Sequence, residues 1–169
     1  MANKATFSTE EWKQVVGSAF LAGFAVTAAD PSGLWGLLKE TFASGRALIK
    51  ARSSAGANEL MKAIVSEMQS SEGRTAAREY VNSRLQGAKS AKSEEIKTRA
   101  IETLGQAAAI VDQKAPSDAA AFKEWLLHIS TNVAEASKEG GFLGFGGIAV
   151  SDAEKATLSE IKTVLNPRT

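Results

Sequence analysis

From Val15 to Ala29 the chain reads VVGSAFLAGFAVTAA, a run without a single charged side chain. Such a segment has few destinations: a bilayer, a cleaved signal, or the middle of a helical protein. It falls short of the roughly 20 apolar residues that span a hydrocarbon core. A signal peptide needs a basic start, and here Lys4 and Lys13 are offset by Glu10 and Glu11. Directly before the run stands Ser8-Thr9-Glu10-Glu11, the residue types of a capping box, in which serine and glutamate satisfy each other's backbone N–H groups at a helix start. The expectation is a central, buried helix from about Thr9 to Ala29. Trp12, Val16, Ala19, Phe20, Gly23 and Thr27 share one face, and Val15, Phe24 and Val26 widen it until it is apolar nearly all round. Gly17, Ala22 and Gly23 are small enough to admit another helix closely.

The rest of the chain repeats the helical pattern. Asp30-Pro31-Ser32-Gly33 reads as a turn, and a second helix over about 34–52 carries Leu34, Leu37, Leu38, Thr41, Gly45 and Leu48 on one face. The short link predicts an antiparallel hairpin of these two helices. Ser53-Ser54-Ala55-Gly56 breaks the pattern. A helix over about 57–69 follows with Leu60, Met61, Ile64, Val65 and Met68, then a polar stretch from Ser70 to Gly73 and a weaker helix over about 74–86 with Ala77, Val81 and Leu85. A flexible linker is expected near residues 87–92. Beyond it Ile96, Ala100, Leu104, Ala107 and Val111 form a clean stripe. Pro116-Ser117-Asp118 stops that helix and caps the next, whose stripe is Phe122, Trp125, Leu126, Ile129, Val133 and Ala136. Ser151-Asp152-Ala153-Glu154 is a second capping box, and Leu158, Ile161 and Leu165 face inward behind it until Asn166-Pro167. No segment alternates with period two for long enough to be a strand. The fold class is all-α: a single-domain bundle of six or seven helices, residues 1–169, built from antiparallel helical hairpins. Glu11-Trp12 and Glu124-Trp125 each open an apolar helix followed by a glycine- and aromatic-containing turn, a short internal echo that suggests two related hairpins.

Composition narrows the chemistry. With 20 Lys and Arg against 19 Asp and Glu, no global field draws in nucleic acid or anionic membrane. The absence of cysteine removes disulfides, thiolate catalysis and cysteine-ligated metals, and one histidine limits imidazole chemistry to His128. Glu124 and His128 lie four apart on one helical face, a ligand spacing, but a di-iron bundle needs a second histidine and more carboxylates. The local excess of base from Arg74 to Arg99 lacks interleaved aromatics apart from Tyr80 and reads as a solvated face, which argues against nucleic acid. No Ser-His-Asp pattern or pair of catalytic carboxylates can be placed; Asp30, Lys39 and Glu40 near the first hairpin read as turn and surface charges. No catalytic, metal-binding or cofactor-binding residue is assigned.

The remaining feature is Gly140-Gly141-Phe142-Leu143-Gly144-Phe145-Gly146-Gly147. It precedes a helix start, where backbone N–H groups can hold an anion, but it has neither the lysine of a phosphate loop nor a strand before it. Its bulky apolar residues favour a plug folded into the protein's own core over a wedge offered to a membrane or a partner. Together with Ala134, Ala136, Glu139 and Ser151-x-x-Glu154, and with Trp12 and Ala29-Asp30-Pro31-Ser32-Gly33, this segment resembles a group of uncharacterised bacterial all-helical proteins. That resemblance implies a bacterial, cytoplasmic protein and no particular activity. The expectation for function is a non-enzymatic helical bundle acting through protein–protein contacts, as a homodimer. The alternatives are a binder of lipid or another small apolar molecule between the first helix and the glycine-rich loop, and peripheral membrane association through that loop. In either case the contact residues would be Trp12, Trp35, Trp125, Phe142, Leu143 and Phe145.

Overall fold

The computed structural model describes residues 2–29, 58–85, 93–139 and 150–165, with side chains omitted at 93 and 136–139. Among these residues there are six α-helices and no strand, so the protein is an all-α bundle. The expected second helix with its flanking turn and break, the linker near 87–92, the glycine-rich loop and Asn166-Pro167 lie outside the described residues.

A single 3-10 turn, Lys4–Thr6, leads into α1, Thr9–Ala28. The start of α1 is the capping box that its sequence spells. The Ser8 hydroxyl accepts from the Glu11 N–H at 3.3 Å, and the Glu11 carboxylate accepts from the Ser8 N–H at 2.8 Å. Val15, Leu21, Ala22, Ala25 and Val26 are fully enclosed. The reason is positional: α1 packs against each of the other five helices, so no side of it faces water along most of its length. A helix so placed has no use for charge, and its polar groups must be satisfied from within. The Ser18 hydroxyl donates to the Val15 carbonyl at 2.7 Å and the Thr27 hydroxyl to the Gly23 carbonyl at 3.0 Å.

The next pair is α2, Glu59–Gln69, and α3, Ser71–Arg84. Asn58 caps α2 by accepting from the Met61 N–H at 3.2 Å. The polar stretch expected from Ser70 to Gly73 contracts to one residue, with α3 starting at Ser71 rather than near Arg74. The Ser70 hydroxyl donates to the Glu67 carbonyl and accepts from the Gly73 N–H, both at 2.9 Å, closing one helix and opening the other. Glycine is required at 73 because a Cβ there would collide with the Glu67 carbonyl. Gly17 on α1 has a similar role: a Cβ would come within 2.7 Å of the Tyr80 ring of α3. The small residue expected to admit a neighbouring helix does admit one.

Two long helices, α4 (Ser93–Lys114) and α5 (Pro116–Glu139), are joined through Ala115 alone. Lys114 lies 3.6 Å from Glu11, and Gln106 reaches Gln14 at 3.4 Å, so α4 runs antiparallel to α1. Its stripe is buried as its spacing predicts, with Ala100, Leu104, Ala107 and Val111 fully enclosed. On α5, Phe122, Trp125 and Leu126 are buried, while Ile129 and Val133 pack at the edge of the core. The Ser130 hydroxyl donates to the Ala22 carbonyl of α1 at 2.9 Å, a polar tie inside an otherwise apolar contact. The last helix, α6 (Asp152–Leu165), rests on α4 and α5 through Thr157, Ile161 and Leu165.

One local assignment changes. Pro116 is the first residue of α5, where a missing N–H costs nothing, so Asp118 stands two residues inside the helix and is not its cap. Its carboxylate turns away from the helix end, toward Ala2 and Asn58.

Candidate functional site

Trp12 and Trp125 are the two described members of the expected contact set; Trp35, Phe142, Leu143 and Phe145 lie outside the described residues. Trp125 is interior, its ring centroid 6.3 Å from that of Phe122 at a 39° tilt. Trp12 is 4% exposed and lies 5.8 Å from Phe7 at 31°. Each tryptophan is thus set against a phenylalanine near it in sequence, an offset arrangement that suits the charge distribution of aromatic rings.

Trp12 also forms the floor of an open groove of about 470 Å³ between the N-terminal turn and α2, flanked by Lys4, Ala5, Ala63, Ser66 and Glu67. Lys4 closes one side by a bidentate ion pair with Glu67 at 3.0 and 3.1 Å. Lys4 is largely solvated, so this pair orients the turn and contributes at most about 1 kcal/mol. The Trp12 indole N–H is enclosed by protein and makes no hydrogen bond, so an acceptor in the groove does not meet it without movement of the ring. The groove has the form of an open notch with a charged rim.

The more distinctive chemistry is in charged groups that the sequence places on helix surfaces and the structure turns inward. Lys97 of α4 is buried between two carboxylates, Glu94 one turn back and Glu160 of α6 at 3.1 Å. The hydrogen bond to Glu94, with Glu160 adding to it, holds the Lys97 ammonium above the usual lysine range despite the opposing effect of burial. Lys123 of α5, also buried, reaches back across the Ala115 corner to Asp112, with its second contact at 2.7 Å. Glu154 is 3% exposed and completes the second capping box. It accepts from the Ser151 N–H at 2.8 Å and from the Ser151 hydroxyl at 3.0 Å, while its own N–H donates to that hydroxyl at 3.2 Å. Glu94 and Asp112 sit a helical turn or a corner away from their lysines and are visible in the sequence. Glu160, 63 residues from Lys97, is not.

The alternatives weighed on the sequence resolve into particular positions. His128 and Glu124 are exposed, and the His128 Nδ1 lies 3.3 Å from the Asn132 amide. No group of three histidine, aspartate or glutamate side chains among the described residues could hold a metal ion. The basic stretch from 74 to 99 does not form one solvated face: Lys97 is interior, and the Arg84 guanidinium lies over the Tyr80 ring, 5.1 Å from its centroid. Burial raises the Tyr80 phenol, with Arg84 opposing the shift. No described helix is long and apolar enough to cross a membrane. Compared with protein-family models, curated proteins and solved structures, the chain matches none.

Proposed function

We propose that this is a non-enzymatic helical-bundle protein that acts through protein–protein contacts and self-associates as a homodimer. The observation that carries the reading is where the buried charges go. Lys97, Lys123, Asp118 and Glu154 each spend their hydrogen-bonding capacity on helix ends and helix–helix ties. A scaffold needs charges used in this way, whereas a catalytic centre needs buried charges converging on an open space. The apolar residues of the glycine-rich segment, Phe142, Leu143 and Phe145, which as a plug would seal the core of one chain, serve this reading by sealing a seam between two. The resemblance of the two ends to bacterial helical proteins supports a bacterial, cytoplasmic setting.

Sedimentation equilibrium over a hundredfold range of concentration tests the proposal. A species of twice the 17.8 kDa chain mass is expected at the upper end, and Phe145→Asp is expected to return it to one chain. A single-chain mass throughout the range removes self-association. Native mass spectrometry of the same sample separates the alternative, since a co-purifying apolar molecule on a single chain would point to ligand binding instead.

A further inference from the structure

α6 satisfies much of its polar surface within its own length. Ser151 and Glu154 answer each other at its start, and Lys155 pairs with Asp152 at 3.0 Å. The Thr157 and Thr163 hydroxyls donate to the Ala153 and Ser159 carbonyls at 2.8 and 2.9 Å. These bonds move with the helix. What α6 meets on the body is more particular. Its Val164 lies over Gly105 of α4, where a Cβ would stand 2.7 Å from the Val164 Cγ1. One turn back, Glu160 lies 3.1 Å from the buried Lys97. Withdrawal of Glu160 leaves that ammonium paired with Glu94, so α6 can lift away without stranding a buried charge. At Asp152–Leu165, however, α6 is no longer than the roughly 12–15 residues at which an isolated helix is marginal in water. Lifted off, it exposes Ile161 and Leu165, and it needs a bed with the same apolar stripe, the same glycine space and the same buried lysine. A second copy of this chain presents that bed.

We propose that α6 is the element two chains exchange, each α6 docking on α4 and α5 of the other copy; the proposal rests on the self-association put forward above. Every docking contact of the single chain is then remade between chains, Lys97 with the partner's Glu160 and Gly105 with the partner's Val164. Exchange of an identical element needs no new complementary patch, which makes it a low-cost route to a closed twofold pair. The sequence from 140 to 151, between α5 and α6, is long enough to span up to about 40 Å when extended. That exceeds the roughly 30 Å diameter of a small domain, so its length permits α6 to reach a second copy. The lysine and the glycine space also set the register of the incoming helix. They ask for a carboxylate four residues ahead of a β-branched side chain, which excludes most amphipathic helices and admits another α6.

The test uses whole chains without substitution. Equal amounts of isotope-labelled and unlabelled protein are unfolded together in urea and refolded at high concentration, and the dimer is isolated by size. Isotope-filtered nuclear Overhauser spectra then select contacts between a labelled and an unlabelled chain. The contact of the Val164 methyl protons with the Gly105 α-protons is expected in the filtered spectrum, since in the exchanged dimer it crosses from one chain to the other. Its absence there, with the same contact present in a uniformly labelled dimer, would overturn the exchange and leave self-association standing. A single-chain mass at every concentration would overturn both.

Discussion

Helices α1 and α6 begin with the same four-residue device, a serine cap answered by a glutamate three positions on, and are then held in opposite ways. α1 is wrapped by every other described helix and needs no charge along its buried length. α6 meets the body along one stripe, and the Glu160 contact to Lys97 adds a directional tie to α4, while the enclosed Glu154 caps its start. Even the shared device differs. Glu11 remains partly solvated, while Glu154 is closed over by protein. Apolar surface does most to position a helix that has neighbours on all sides, and the Ser130 and Lys114 contacts only add to it. A helix with one buried stripe can slide or roll, and directional contacts fix its register.

Substitutions that treat the two helices alike should separate them. The largest effect is expected from Leu21→Ala in α1, a fully enclosed side chain. Loss of its contacts and the cavity left behind should lower unfolding stability by about 2–5 kcal/mol, read as a fall in the urea midpoint at constant slope. Glu154→Ala should cost about 1–3 kcal/mol, because the Ser151 N–H is left in a part-buried position without its acceptor. Glu11→Ala, the corresponding change at the more solvated box, should cost less, because water can take over the exposed Ser8 N–H. An equal loss from the two cap variants would contradict the assigned difference in burial. Gly17→Ala gains roughly 1 kcal/mol of helix propensity but drives a methyl into Tyr80, so a net loss is expected. Tyr80→Leu should relieve that loss in the double variant.

The smallest expected effects follow pH. The Lys97 ammonium is held above the lysine range, so its contribution is complete below the unfolded-state value of about 10.4 and is lost as pH rises through the higher folded value. α6 should therefore loosen first under strongly alkaline conditions, and Lys97→Met should remove that dependence. The Glu11 carboxyl is held below the usual range, chiefly by the Ser8 N–H, with Lys114 assisting. Its contribution is present above the unfolded value of about 4.3 and fades as pH falls through the lower folded one. The start of α1 should fray only in acid.

How much of this was legible in the sequence follows the same division. α1, the stripe of α4 and both capping boxes could be read because their determinants are local: an uncharged run, a spacing of three and four, a serine with its glutamate. The α2–α3 junction was read too long because Ser70 serves both helices, and only the contact of Gly73 with the Glu67 carbonyl explains why no further residue is needed. Asp118 was read as a cap because Asp near a helix start usually is one. Its partner Ala2 lies 116 residues away and leaves no local trace. Lys97 looked like a surface charge for the same reason. Of the expected contact residues, Trp12 and Trp125 prove to be interior, each beside a phenylalanine visible in the sequence. The groove beside Trp12 was not foreseen, because it depends on a turn and a helix that meet only in the fold.

Native-state hydrogen exchange, resolved by residue, tests the division most directly. The account predicts that amides of α1 exchange only through global unfolding. Those of α6 should exchange through a smaller, separate opening that Lys97→Met makes easier without altering α1. Equal protection of α1 and α6, or a change in α1 caused by Lys97→Met, would contradict it.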